Sequence, residues 1–528
     1  MAHAEQIVDT SVTTRRLGGR KARRDARANK DVNQAVRPGM KGGTYRPLSD
    51  HDMDQIHQTV LRVLEHVGVG DPIPELREKA LEKGCWMDDD NRLHFPAALV
   101  EDVIAGACRD AVLYGRDPKY DCDLKGADVF YSPGAEAVTT LDFETGEYRP
   151  STLVDYYDFS RLVDKLEHVH MMSRVIVATD IANDWYLMDA NLTYAQLAGT
   201  MKHNALGFAN GENLERCIPM LDMIAGGEGK FAKRPFASAF GCPIVSPLTY
   251  GEDNCTTLVS GIKLNAPVDA VIAPQAGATA PAPLAGTLVQ VTAETLASLL
   301  MVNIIKPSHP VIFGAWPFVS DMRTGAFSGG GGEQALLGAA AGQLGLYYDL
   351  PTSTGAGMSD SNSLDIQMGF EKGITSVLAA LSGCNAVTEV AGMTATLMGC
   401  SFESMVIDNE MLAMIQRAVR GIEVTEETLS FDVIKEISTG PRHFLGHPQT
   451  LKFMETEFLY PEFSDRDPTS VWEEKGSVDM TVRAKEVTRN LLSSHYPEYI
   501  DPAVDAKIRE HYPIRLSKED MRAECGRW

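Results

Sequence analysis

From about residue 120 onward the chain alternates between short apolar runs and longer stretches whose apolar positions recur every three to four residues. The short runs are residues 129–131, 169–178, 205–209, 236–240, 268–273, 310–315, 350–354 and 386–390. Such brief runs without strict alternation suit strands covered on both faces. The intervening stretches are residues 152–166, 184–202, 214–224, 254–264, 284–305, 332–348, 364–381 and 403–420, and their period predicts helices. Eight strands alternating with eight helices predict an α/β protein built as a (β/α)8 TIM barrel over residues 121–420, with an open doubly wound sheet as the alternative.

The flanks follow other patterns. Residues 1–46 carry no sustained periodicity and are expected to form a flexible arm. Residues 47–120 predict an N-terminal helical extension. Ser49 caps a helix that carries Ile56, Val60, Leu61 and Leu64 on one stripe, and further helices follow over 74–83 and 96–108. Residues 421–528 predict a C-terminal extension, with helices over 425–436, 476–495 and 500–525 and an aromatic stretch between.

Charge and composition narrow the function. The net charge of −23 argues against broad nucleic-acid binding. It is unevenly spread: eleven Lys/Arg against four Asp/Glu give residues 1–46 about +7, leaving the remainder near −30. No apolar segment follows Arg15-Arg16, so an export signal is not expected. The longest apolar stretch, 284–305, contains Gln290, Thr292, Glu294 and Asn303, which predicts a buried helix rather than a membrane span. Nine cysteines are scattered without CxxC spacing, so the chain is expected in a reducing, cytoplasmic compartment and no metal site is expected.

The densest loop signal is residues 321–336, where Gly329, Gly330, Gly331 and Gly332 separate a strand from a helix. Glycines there permit close backbone approach to a ligand, yet neither GxxxxGK[ST] nor a strand-linked GxGxxG is present. The predicted strand ends are rich in Gly, Pro and aromatic residues and poor in His and Lys, so no residue is assigned as a catalytic acid or base. Aromatic rings with a few carboxylates suit a cation. Tyr131, Trp316, Phe318 and Phe402 are the candidate walls of a cage, and Glu389 is the candidate counter-charge, against ordinary packing roles for each.

Ordered pieces of sequence carry a resemblance. They are Arg-Arg-Leu-Gly-Gly-Arg-Lys-Ala-Arg-Arg (15–24), Asp321-Met-Arg-Thr-Gly325, Glu333-Gln-Ala-Leu with Gln343 to Pro351, Ser359-Asp-Ser, Asp365-Ile-Gln367 and Glu371-Lys372, and finally His443-Phe-Leu-Gly-His447-Pro-Gln-Thr450. The chain resembles the trimethylamine methyltransferase family, corrinoid-dependent (β/α)8 enzymes. Founding members carry pyrrolysine after the seventh strand. Here Gly355-Ala-Gly-Met-Ser-Asp360 is made of standard residues, so the chain is similar to the non-pyrrolysine branch. That resemblance implies demethylation of a quaternary amine, a betaine such as glycine betaine, onto the cob(I)alamin of a separate corrinoid protein. A quaternary nitrogen is already charged and leaves as a neutral amine, so no proton donor is needed.

A betaine also has a carboxylate, for which Arg323, His443, His447, Gln275 and the N–H groups of Gly329–Gly332 are the expected donors. Three alternatives stay open: tetrahydrofolate as the direct acceptor, a sulfonium substrate such as dimethylsulfoniopropionate, and a non-catalytic betaine-binding protein. The chain is expected to form a homo-oligomer, without nucleic-acid or membrane partners.

Overall fold

The computed structural model of the protein describes residues 35–134 and 136–528. Its centre is a curled nine-stranded sheet. The strands are β1 (Met40–Lys41), β2 (Asp128–Tyr131), β3 (Met171–Met172), β4 (His203–Gly207), β5 (Ala237–Gly241), β6 (Val268–Ile272), β7 (Val311–Ala315), β8 (Thr352–Gly355) and β9 (Ala386–Thr388). Their order across the sheet is β1-β2-β9-β8-β7-β6-β5-β4-β3, parallel throughout except for β1, which runs antiparallel to β2. Chain flanking β2 and β3, the two ends of the parallel run, also exchanges backbone hydrogen bonds: His170 N–H donates to Tyr131 O (2.8 Å), Glu136 N–H to Arg174 O (2.8 Å) and Ala137 N–H to Val175 O (3.0 Å).

Helices follow the strands: α1 (Leu153–Lys165), α2 (Trp185–Gly199), α3 (Gly211–Ala225), α4 (Glu252–Lys263), α5 (Leu284–Ile305), α6 (Gly332–Tyr347), α7 (Ile366–Ser382) and α8 (Phe402–Arg420). Most of α5 is buried inside the molecule, as its interspersed polar residues predict. Helix α6 lies close against the sheet because it lacks side chains at the contact. A Cβ on Gly345 would fall 1.7 Å from Thr352 Cγ2 of β8, and one on Gly342, where α6 meets α7, would fall 2.4 Å from Ser382 Oγ.

Alternation along the strands divides the core. Val268, Ala270 and Ile272 of β6 join the outer layer with α5, while Asp269 and Val271 point to the concave side. In β2, Phe130 packs on the concave side with Ile312 and Ala386, whereas Val129 and Tyr131 pack outward.

The flanks differ from expectation in two places. Of the arm expected over 1–46, residues 35–46 are docked on the body: Met40 is buried and β1 pairs with Asp128 and Val129 at the start of β2. Residues 1–34 lie outside the described residues. The N-terminal extension is not purely helical either. Val69–Gly70, Trp86–Met87 and Arg92–His94 form a small sheet with Ile244–Val245 and Thr249–Tyr250.

Candidate functional site

Side chains from the carboxyl ends of the strands converge on the concave side. Trp316 and Phe318 follow β7, and Phe240 lies near the end of β5. With Phe327 they form an aromatic group: Trp316 is 6.4 Å from Phe240 and from Phe318 between centroids, and Phe318 meets Phe327 edge-on at 4.9 Å. Met358, from the segment after β8, packs into the same group. The indole N–H of Trp316 donates to Ser353 Oγ (3.1 Å), and Ser353 faces Asp269 Oδ1 at 3.4 Å, so the ring orientation is tied to a buried carboxylate.

Asp269 and Glu389 supply the charge. Both are buried, and neither makes an ion pair among the described residues. Burial pushes the Asp269 carboxyl up to about 7 against the opposing bond from Ser353, and burial alone pushes Glu389 up to about 8. Glu389 Oε2 has no hydrogen-bond partner. It lies 2.7 Å from where a Cβ on Gly355 would stand, with Phe318 Cε1 3.0 Å from the same point. A carboxylate and an aromatic edge thus share one small volume, which only glycine leaves open. Glu389 adopts a left-handed backbone (φ 66°), uncommon for a residue with a side chain and found where a site holds strain. Gln334, in the first turn of α6, donates to Gly355 O (3.4 Å) and leaves its own Oε1 unpartnered beside the same glycine.

The enclosure lined by Trp316, Phe240, Asp269, Arg174 and Glu136 continues to Met171 and His203, and its free space is only about 20 Å³, room for one water. A ligand the size of a small amine therefore enters only as a lining side chain gives way. Cys242, just past β5, is exposed and lies outside the lining of the enclosure.

Trp316, Phe318 and Glu389 are thus brought together as the sequence suggested; the other candidates are not. Tyr131 faces the outer layer, packed 5.5 Å from the His170 ring, because the neighbouring Phe130 takes the inward position. Phe402 starts α8 and stacks on Phe159 (3.8 Å) and against Trp528 (5.1 Å), away from the enclosure. Gln275 accepts the hydroxyl of Ser320 (2.9 Å) in a small sheet formed by Gln275–Ala276, Phe318–Ser320 and Phe327–Ser328. Arg323 is exposed and held by Asp321 (2.6 Å) within its own turn.

His443 is exposed on the C-terminal extension. His447 caps the helix Pro448–Glu457, accepting from Gln449 N–H (3.1 Å). The glycine run serves protein packing. Gly329 N–H donates to Asp360 (2.8 Å), Gly331 caps α6, and a Cβ on Gly330 would fall 2.4 Å from Glu371 Cδ. Gly332 has open space around it. Asp269, Phe240, Gln334 and Arg174 were missed. Only Asp269 carried a signal, as a lone acid inside an otherwise apolar strand.

An aromatic wall with two unpaired carboxyls, at the carboxyl ends of parallel strands, can hold a small organic cation. Comparison with known proteins agrees with a methyl-transferring class. Residues 16–519 match the trimethylamine methyltransferase (MTTB) family. The chain is 32% identical over 464 residues to trimethylamine methyltransferase MttB of Desulfitobacterium hafniense (strain DSM 10664 / DCB-2), covering 88% of this chain and 92% of that protein. It is 28% identical over 466 residues to glycine betaine methyltransferase of Desulfitobacterium hafniense (strain Y51), covering 88% and 96%. These matches define a methyltransferase, and the chain belongs to the trimethylamine methyltransferase family. The crystal structure of the Methanosarcina barkeri monomethylamine methyltransferase (MtmB) aligns over 89% of this chain and 97% of that one, at 13% identity and a TM-score of 0.45.

Proposed function

We propose that the chain removes a methyl group from a quaternary amine, a betaine such as glycine betaine, and delivers it to the cob(I)alamin of a separate corrinoid protein. The observation that carries this reading is the aromatic group of Trp316, Phe318 and Phe240 set beside Glu389 and Asp269, two buried carboxyls with no ion pair among the described residues. The rings attract the ammonium head through their faces, and the carboxylates neutralise it where water is scarce. The relative named for glycine betaine supports the substrate class.

The reaction asks little proton chemistry of the chain. The C–N bond breaks with its electron pair staying on nitrogen, and the methyl carbon goes to the acceptor. Glu389 and Asp269 hold the cation, and Trp316 and Phe318 fix its direction. When carried by its own protein, the corrinoid supplies a strong nucleophile for that carbon. The loops after β7 and β9 carry the exposed apolar side chains Met322 and Met398, which suits the approach of a broad, largely apolar group.

We further propose that the curled sheet is a closed (β/α)8 barrel, which the hydrogen bonds between the flanks of β2 and β3 support. The chain is also proposed to assemble with copies of itself. The test is an incubation of the protein with glycine betaine and reduced cobalamin, following loss of the reduced-cobalamin spectrum and formation of dimethylglycine. Product from betaine is expected. Product from dimethylsulfoniopropionate alone would replace the substrate, and product only with tetrahydrofolate would replace the acceptor. Saturable binding with no product under either acceptor would overturn the enzymatic reading.

A further inference from the structure

Arg174 follows β3 and lines the same enclosure as Trp316, Phe240 and Asp269. It is buried, yet its guanidinium is thinly bonded. Among the described residues its one hydrogen bond runs from Nη1 to Gly207 O at 3.3 Å, and Nε has none. A guanidinium offers five N–H groups, and enclosed ones ordinarily saturate in paired bonds to carboxylates. Even the partly exposed Arg149 does so here, with two bonds to Asp155 at 2.7 and 2.8 Å. Arg174 instead has two acids in ion-pair range without a hydrogen bond to either: Glu136 Oε1 lies 3.3 Å from Nε, and Asp189 Oδ1 lies 3.7 Å from Nη1.

The two acids differ in freedom. Asp189 is fully buried, and its Oδ2 accepts from Ala209 N–H (2.9 Å) and Asn213 Nδ2 (2.8 Å), so it is fixed. Glu136 comes from the loop after β2, and its side chain is 44% exposed. Its backbone is left-handed, with φ 55°. It can leave for water without crossing the core.

We propose that Arg174 is the seat for the carboxylate of a zwitterionic methyl donor, and that Glu136 is a resident counter-ion which that carboxylate displaces. This rests on the quaternary-amine reading above. The exchange of one carboxylate for another is neutral in charge, and Asp189 keeps balancing Arg174 throughout. The ammonium end then lies against Trp316 and Asp269, which line the same enclosure as Arg174. A simple quaternary cation has nothing with which to displace Glu136, so it gains the aromatic contacts only. Arg174 thereby determines specificity, because a site built to bond a charged group discriminates against the analogue lacking it.

Calorimetry on the full-length protein tests this with glycine betaine, choline and tetramethylammonium. The wild type is expected to bind betaine about tenfold or more tighter than either simple cation. Arg174→Gln is expected to abolish that preference while leaving tetramethylammonium affinity unchanged. Glu136→Gln removes the competitor without touching Arg174, and is expected to tighten betaine alone. Equal affinity for all three in the wild type would overturn the proposal while leaving the quaternary-amine reading intact, as would an equal loss for betaine and tetramethylammonium in Arg174→Gln. If the folded wild type binds none of the three, the cation site itself is absent and the Arg174 proposal falls with it.

Discussion

Asp269 and Glu389 are titratable in the range where the protein would work. Burial raises both, to about 7 and about 8 from ordinary values of 3.8 and 4.5. Each is a cation partner only when ionised, so affinity for tetramethylammonium should climb as pH rises through roughly 7 to 8, and Glu389→Gln should flatten most of that climb. Calorimetry at about pH 6 and pH 9 reads both outcomes; a flat wild-type profile would remove the two acids from the site. The ligand-free protein should respond in the opposite direction. Folded values above unfolded ones mean that the native state holds protons the unfolded chain releases. The associated stability is present in full below about pH 4 and is lost as pH passes 7 to 8. At Trp316 the prediction is simpler. Trp316→Ala removes one ring and should weaken a bare cation by about 1–2 kcal/mol, measured in the same titrations. Unchanged affinity would exclude Trp316 from the cage.

At the scale of elements, the order of strands and helices was readable because each helix after residue 150 has a clear apolar stripe or core and each strand a short apolar run. Side-chain direction was less so. Tyr131 and Trp316 both stand at strand ends, but inward Phe130 sends Tyr131 outward, while inward Gly314 returns Trp316 to the concave side. That parity depends on register with neighbouring strands, which a single run of sequence does not contain. Arg174 was hidden for a related reason. It falls inside the apolar run 169–178, whose ladder to β4 spans only Met171–Met172, so the residues beyond are free to turn into the enclosure. The glycine run misled in the other sense, since close approach to Glu371 of the same chain needs glycine as much as a ligand would.

Lys202 shows how one residue joins two elements. Its buried ammonium donates to Val163 O and Leu166 O, both at 2.6 Å, and to Val169 O, closing the carboxyl end of α1 just before β4 begins. Burial lowers its pKa to about 8 against the attraction of Asp164. Lys202→Met would leave these carbonyls without a donor in the interior. It should cost about 3–5 kcal/mol, read from the urea midpoint, and a shift below about 1 kcal/mol would show that the carbonyls find other partners.

For the whole molecule, the question is what covers the C-terminal extension. Eleven of the twenty-six large apolar side chains exposed among the described residues fall within 422–460, including Ile422, Phe431 and Leu445. The segment is held to the body by Arg417 and Arg420, which grip Glu457 at 2.9 Å, so these side chains are presented rather than loose. Monomers seldom expose so large a patch, because it costs stability and solubility whenever it is bare. A partner that relieves this must be present at all times and in matching amount, and a second copy of the chain meets that condition where a corrinoid protein that comes and goes between methyl transfers does not. Light scattering at micromolar concentration should therefore give a mass that is a multiple of 57.6 kDa. The double substitution Phe431→Ser with Leu445→Ser should lower it, while tetramethylammonium binding at the distant enclosure stays as in the wild type. A wild-type mass of one chain across the accessible concentration range would show that the apolar face is left for some other partner.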